Sequence, residues 1–200
     1  QLESAPIGLR DRLLELINFE TRQCRNKAEG AIHAKFNSLV DPKLIRALYK
    51  ASQAGVRIRL NIRGICCLKP GVPGLSENIE VIRIIDRFLE HARIFHFLHG
   101  GDDQVLISSA DLMPRNLDGR VELLVPILDD DCKRKAIEVL KLCLSDKARA
   151  RQITADGRYV RPDSRNSGVR SQHYFQQLAR EAEENAFEEK RRMFVPQQPN

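Results

Sequence analysis

Ala31-Ile32-His33-Ala34-Lys35-Phe36-Asn37 alternates apolar and polar side chains, and Val56-Arg57-Ile58-Arg59-Leu60-Asn61-Ile62 alternates again without a break. Alternation with period two marks a strand. Between them, Asp41-Pro42 joins a residue that caps helix amino ends to one preset for the first helical turn. The helix it opens carries Leu44, Ile45, Leu48 and Tyr49 on one face and stops before Gly55. Strand, helix and strand in this span predict two parallel strands joined by a right-handed crossover. The class is α/β.

Outward from this unit, Leu9, Leu13, Leu16, Ile17 and Cys24 have the spacing of an amphipathic helix over 9–27, broken between Asn26 and Gly30. Residues 69–74 read as a loop, and Ile79, Ile82, Ile85 and Leu89 predict a short helix over 77–89. Residues 93–98 and 104–108 flank Gly100-Gly101-Asp102-Asp103 as a hairpin. A strand over 120–127, closed by Pro126, and a helix over 132–144 complete a domain at 1–146 with a mixed β-sheet flanked by helices. Residues 147–170 read as a basic linker or extension, and 171–200 as a charged helix and tail.

With 200 residues, 42% hydrophobic and 30% charged, the chain has the composition of a globular domain. Collagen, a disulfide miniprotein and wholesale disorder are excluded, and no run of eighteen apolar residues suggests a membrane span. Gln1-Leu2-Glu3-Ser4-Ala5-Pro6 lacks the basic and apolar regions of a signal peptide, and the chain reads as a piece of a longer one. The expected location is cytoplasmic or membrane-associated. Net charge is +6, and residues 147–165 carry +4 of it through Lys147, Arg149, Arg151, Arg158, Arg161 and Arg165 against two acids. Such a field suits a polyanion. Five cysteines, odd in number and without C-x-x-C spacing, argue against zinc and disulfides and for reduced, mostly buried thiols.

His91-Ala92-Arg93, then Ser108-Ser109-Ala110-Asp111, then Glu122 follow one another at spacings that resemble the second active-site motif of the phospholipase D superfamily. That motif runs H-x-K-x4-D, G-S-x-N and an acid. Its histidine attacks phosphorus or protonates a leaving group, and the cation two residues on shares its strand face. Here Arg93 replaces the lysine, Leu98 the aspartate and Asp111 the asparagine, which speaks against diesterase chemistry.

A second resemblance accounts for those departures. Phe36-Asn37-Ser38-Leu39-Val40-Asp41-Pro42, Ile62-Arg63-Gly64-Ile65-Cys66-Cys67-Leu68, residues 70–79, Arg87-Phe88-Leu89-Glu90-His91-Ala92-Arg93-Ile94 and residues 108–122 are similar to the C-terminal catalytic domain of the bacterial polyphosphate kinases of the phospholipase D-like type. The similarity covers about residues 5–165. It implies a transferase that moves the terminal phosphate of ATP reversibly onto inorganic polyphosphate. A phosphohistidine in a preceding domain, outside this chain, would carry the phosphate. His91 would be the second histidine, an acid/base or transition-state donor, with Arg63 and Arg120 on the nucleotide phosphates. Arg93, Ser109, Asp111, Arg115 and Glu122 would be supporting residues. ATP or ADP and polyphosphate are the implied ligands, with Mg2+ held mainly outside this chain and no metal site within it. The preceding domains, and a homo-oligomeric full-length enzyme, are the implied partners. The fragment alone is expected to be inactive.

Two other readings compete. One is a phosphodiesterase or nuclease that dimerises to pair two copies of His91. The other is a non-enzymatic module that binds polyanions through the basic stretch. With no tryptophan and 6% aromatics, base stacking on nucleic acid is a poor fit. His33, His96, His99 and His173 have no constellation around them, and His96 is expected in the core or on the sheet surface.

Overall fold

The computed structural model describes residues 2–161 and 168–193. In chain order the elements are β1 (Glu3–Ala5), α1 (Leu9–Arg25), β2 (Ala31–Phe36), α2 (Pro42–Gln53), β3 (Arg57–Ile62), β4 (Ile79–Ile84) and β5 (Ile94–Phe97). They continue with β6 (Gln104–Ser108), α3 (Pro114–Leu117), β7 (Glu122–Pro126), α4 (Asp130–Ser145), β8 (Ala150–Ile153), β9 (Tyr159–Val160) and α5 (Ser171–Met193). The strands form one mixed sheet in the order β1-β7-β6-β5-β2-β3-β4-β8-β9.

The central crossover is as the alternation predicts. β2 and β3 are parallel, with Ala31 opposite Arg57 and Phe36 opposite Ile62. Asp41 caps α2 by accepting from the backbone N–H of Lys43 at 3.0 Å and Leu44 at 2.9 Å. Ile32, Ala34, Phe36, Ile58, Leu60 and Ile62 enter the core shared with α1 and α2. The opposite face holds a smaller core, Ile82, Ile94 and Val105 against Leu140 and Leu144 of α4. The hairpin forms as β5 and β6, Ile94 opposite Ile107.

Three expectations are corrected. Residues 77–89 are not a helix: they form β4, parallel to β3, followed by irregular chain. Ile79 and Val81 enter one core and Ile82 the other, so the strand is apolar on both faces and its period is hidden. Ile85 and Leu89, placed on the helix's apolar face, are 51% and 77% exposed. Within the stretch at 147–170, β8 pairs with β4 and β9 with β8, so part of it extends the sheet; Arg165 lies outside the described residues, as does the tail from 194. The cysteines are free but not mostly buried: Cys143 is buried, Cys24 and Cys66 half-buried, Cys67 and Cys132 exposed.

Candidate functional site

The parallel strands β2 and β3 end where the antiparallel β5 begins, β6 ends and β7 begins. Residues that follow or precede these strands therefore collect at one end of the sheet. That is where open α/β sheets bind ligands. Asn37 follows β2, Arg63 follows β3, Arg93 precedes β5, Asp111 lies just beyond β6 and Glu122 opens β7.

Hydrogen bonds join four of these in a row. Arg93 grips Asp111 with two parallel bonds, Nε to Oδ1 and Nη2 to Oδ2, each 3.1 Å. Asp111 also accepts from the Asn37 backbone N–H at 2.9 Å and from Asn37 Nδ2 at 3.3 Å. Asn37 Oδ1 in turn accepts from Arg63 Nε at 2.6 Å. Burial by itself would raise the Asp111 carboxyl, but Arg93 and Asn37 outweigh it and hold the group below its ordinary range. Gly64 lets the two strand ends approach: a Cβ there would stand 2.7 Å from the Asn37 carbonyl oxygen.

His91 is exposed and lies against Arg93, with Nδ1 3.3 Å from Nη1 and Nε2 3.4 Å from Nη2. The two ring nitrogens point away from each other, so one guanidinium cannot meet both in the ring plane. The N–H edge of the guanidinium faces the imidazole, and Nη1 also donates to the His91 carbonyl at 3.2 Å. Arg63 has two terminal nitrogens to spare, since Nε alone is engaged among the described residues. It borders a cleft of about 260 Å³ with Arg83, Arg87, Asp86, Phe88 and Glu90.

Ser109 and Glu122 form a separate cluster. Ser109 Oγ donates to Glu122 Oε2 at 2.5 Å, Asn116 Nδ2 donates to Oε1 at 2.7 Å, and the Leu123 N–H donates to Ser109 Oγ at 3.0 Å. This cluster ties the turn after β6 to β7. Arg115 and Arg120 are exposed and join neither group among the described residues. His96, expected in the core or on the sheet, is 6% exposed with Nε2 2.8 Å from Asp103. It shares with His33 a cavity of about 870 Å³ under α4 that has no lining residue in common with the row.

Asn37 and Asn116 were not singled out from sequence, nor were buried Lys35 and half-buried Glu90, an ion pair next to His91. The signal for Asn37 was its place, one residue beyond β2 as Arg63 is one beyond β3. Among the described residues no group of three His, Cys, Asp or Glu side chains is placed to hold a metal ion.

The family model described as polyphosphate kinase C-terminal domain 2 matches residues 2–172. The chain belongs to the polyphosphate kinase family. It is 56% identical over 161 residues to a polyphosphate kinase of Rhodopirellula baltica, covering 80% of this chain and 19% of that relative. It is 49% identical over 180 residues to one of Halalkalibacterium halodurans, covering 89% and 26%. The crystal structure of the polyphosphate kinase from Porphyromonas gingivalis superimposes with a TM-score of 0.86 at 38% identity, over 92% of this chain and 28% of that one. The chain thus spans about a fifth to a quarter of the length of these curated polyphosphate kinases. A phospholipase D family member from Salmonella typhimurium shares the fold, with a TM-score of 0.53 at 16% identity over 81% of this chain and 97% of that one.

Proposed function

We propose that this domain supplies one side of the active site of a polyphosphate kinase, which transfers the terminal phosphate of ATP reversibly to inorganic polyphosphate. The observation that carries the reading is the row from His91 through Arg93, Asp111 and Asn37 to Arg63 at one end of the sheet. Phosphoryl transfer asks mainly for positioned charge and donors, because the transition state spreads its charge over three oxygens. Arg63 offers a guanidinium fork fixed at Nε, a shape matched to two phosphate oxygens. His91 offers an exposed imidazole held against the guanidinium of Arg93. Its part is to give or take the proton of a phosphate or to donate to the oxygens in flight. Arg120, exposed beside β7, is the second cation proposed for the nucleotide phosphates.

The phosphohistidine is proposed to lie on a preceding domain, so that this chain alone transfers nothing. Appearance of ATP from ADP and polyphosphate with the purified chain would refute that. The nearby carboxylates do not fit a resident magnesium ion: Asp111 is taken by Arg93 and Asn37, Glu122 by Ser109 and Asn116, Glu90 by Lys35. Ligands to Mg2+ are accordingly proposed outside this domain, and no step is drawn through the ion. Phosphodiesterase chemistry is disfavoured by the paired Arg93 and Asp111, whose charges cancel where the diesterase motif keeps a lysine beside a neutral amide. No helix among the described residues is long and apolar enough to cross a membrane.

The test is calorimetric titration of the chain with ATP and with polyphosphate, at two salt concentrations, beside Arg63→Ala and His91→Ala. Binding that weakens about tenfold or more in either variant supports the reading. Binding that is unchanged in both and simply fades with salt overturns it in favour of a diffuse basic surface.

A further inference from the structure

The chain from Ile85 to Arg93 has no regular secondary structure, yet it carries His91 to the site. The first turn of α5 fastens it. Gln172, 7% exposed, accepts from the Phe88 backbone N–H at 2.8 Å through Oε1. It donates through Nε2 to the Phe88 carbonyl and to Glu90 Oε1, both at 2.9 Å. One side-chain amide thus meets both polar groups of a loop residue, as a neighbouring strand would. The other oxygen of Glu90 is paired with Lys35 of β2, itself 4% exposed. Arg170 grips Asp86 with two bonds, 2.8 and 2.6 Å, and Asp146 accepts from the N–H and hydroxyl of Ser171 at 2.8 and 2.7 Å.

We infer that the first turn of α5 is a clamp for the His91 loop, with Gln172 its central positioning residue. The importance of that position rests on the phosphate-handling role proposed above for His91. β2 braces His91 from both sides. Lys35 holds Glu90 on one side, and Asn37 holds Asp111, and through it Arg93, on the other. α5 closes the arrangement from a point 84 residues along the chain. Small displacements of a reacting group cost large factors in phosphate handling. A clamp that removes the loop's freedom therefore acts on the site without touching the ligand. α5 thereby becomes a handle: whatever moves it moves His91.

The test uses Gln172→Leu, which keeps the side-chain volume and removes the amide. Three quantities are read: the melting temperature, the carbon-bound proton signal of the His91 imidazole in a proton–carbon NMR correlation, and the affinity for tripolyphosphate. The clamp predicts a folded protein whose His91 signal shifts and broadens and whose tripolyphosphate dissociation constant rises about tenfold. A folded Gln172→Leu protein with an unmoved His91 signal overturns it. Arg170→Met, which breaks only the pair with Asp86 at a half-exposed position, is the second variant. It should move the same signal in the same sense, and an unmoved signal there overturns the clamp if Gln172→Leu fails to fold. His91→Ala separates the two ideas. Unchanged affinity in that variant refutes the role of His91, while the imidazole signal still decides the clamp.

Discussion

Asn37 meets Asp111 twice: its backbone N–H reaches Oδ1 at 2.9 Å and its side-chain amide reaches Oδ2 at 3.3 Å. The carboxylate is thereby joined to the end of β2 while Arg93 holds it from β5. Asp111 connects two strands and orders two arginines, one directly and one through Asn37.

Asp111→Asn should lower stability by about 2 kcal/mol, because it leaves the half-buried Arg93 without its counter-charge. The carboxyl is held below its ordinary value of 3.8, burial opposing and Arg93 with Asn37 prevailing. Its stabilising contribution is therefore complete above that value and lost as pH falls through the lowered one. Urea-unfolding curves of wild type and variant should differ at neutral pH and converge in strong acid. A difference that persists unchanged in acid would contradict this.

Glu122→Ala strands the Ser109 hydroxyl and the Asn116 amide, whose Oδ1 already has no partner among the described residues. A loss of about 2–3 kcal/mol is expected in chemical denaturation. Tripolyphosphate affinity should stay near wild type, since this cluster braces the turn before β7 and does not join the row. A collapse of affinity in folded protein would place Glu122 in the site.

Gly64→Ala drives a Cβ to within 2.7 Å of the Asn37 carbonyl oxygen and 2.9 Å of Ser38 Oγ. The ends of β2 and β3 must part, at about 1–3 kcal/mol. Arg63 moves with Gly64, so ATP and polyphosphate binding should weaken in step with stability. Unaltered binding would mean that Arg63 tolerates the displacement.

His33 lies half-buried beside His96, and burial first, then the neighbouring imidazole, lower its pKa from 6.5 to about 4. The folded state thus favours the neutral ring. Stability from this group is complete above pH 6.5 and is lost as pH falls from there to about 4, by up to about 3 kcal/mol. His33→Gln should flatten the stability profile in that window. Equal slopes in the two proteins would refute the assignment.

The β2-α2-β3 unit was readable because each strand there faces one apolar layer and one polar one, and Asp41-Pro42 marks the helix start. β4 was not, because it is covered on both faces and the spacing of Ile79, Ile82 and Ile85 imitates a helical stripe. β8, with Arg151 and Gln152 in its middle, owes its conformation to β4 beside it and carries little local signal. At the site, His91, Arg93 and Asp111 were legible because β5 and β6 form one hairpin, which returns Asp111 to Arg93 after only 18 residues. Asn37 acts on a partner 74 residues away and Gln172 on one 84 away, and no local pattern announces such pairings.

Among the described residues the sheet has two outer borders, and both are nearly closed. β1 offers three residues and β9 two. So little free backbone is a poor template for another strand. A neighbouring domain or second copy meets little edge along which to lengthen this sheet. The strand tips and the helices offer it broader surfaces. The brevity of two small strands thus leaves the tips as the broad surface that presents the imidazole of His91.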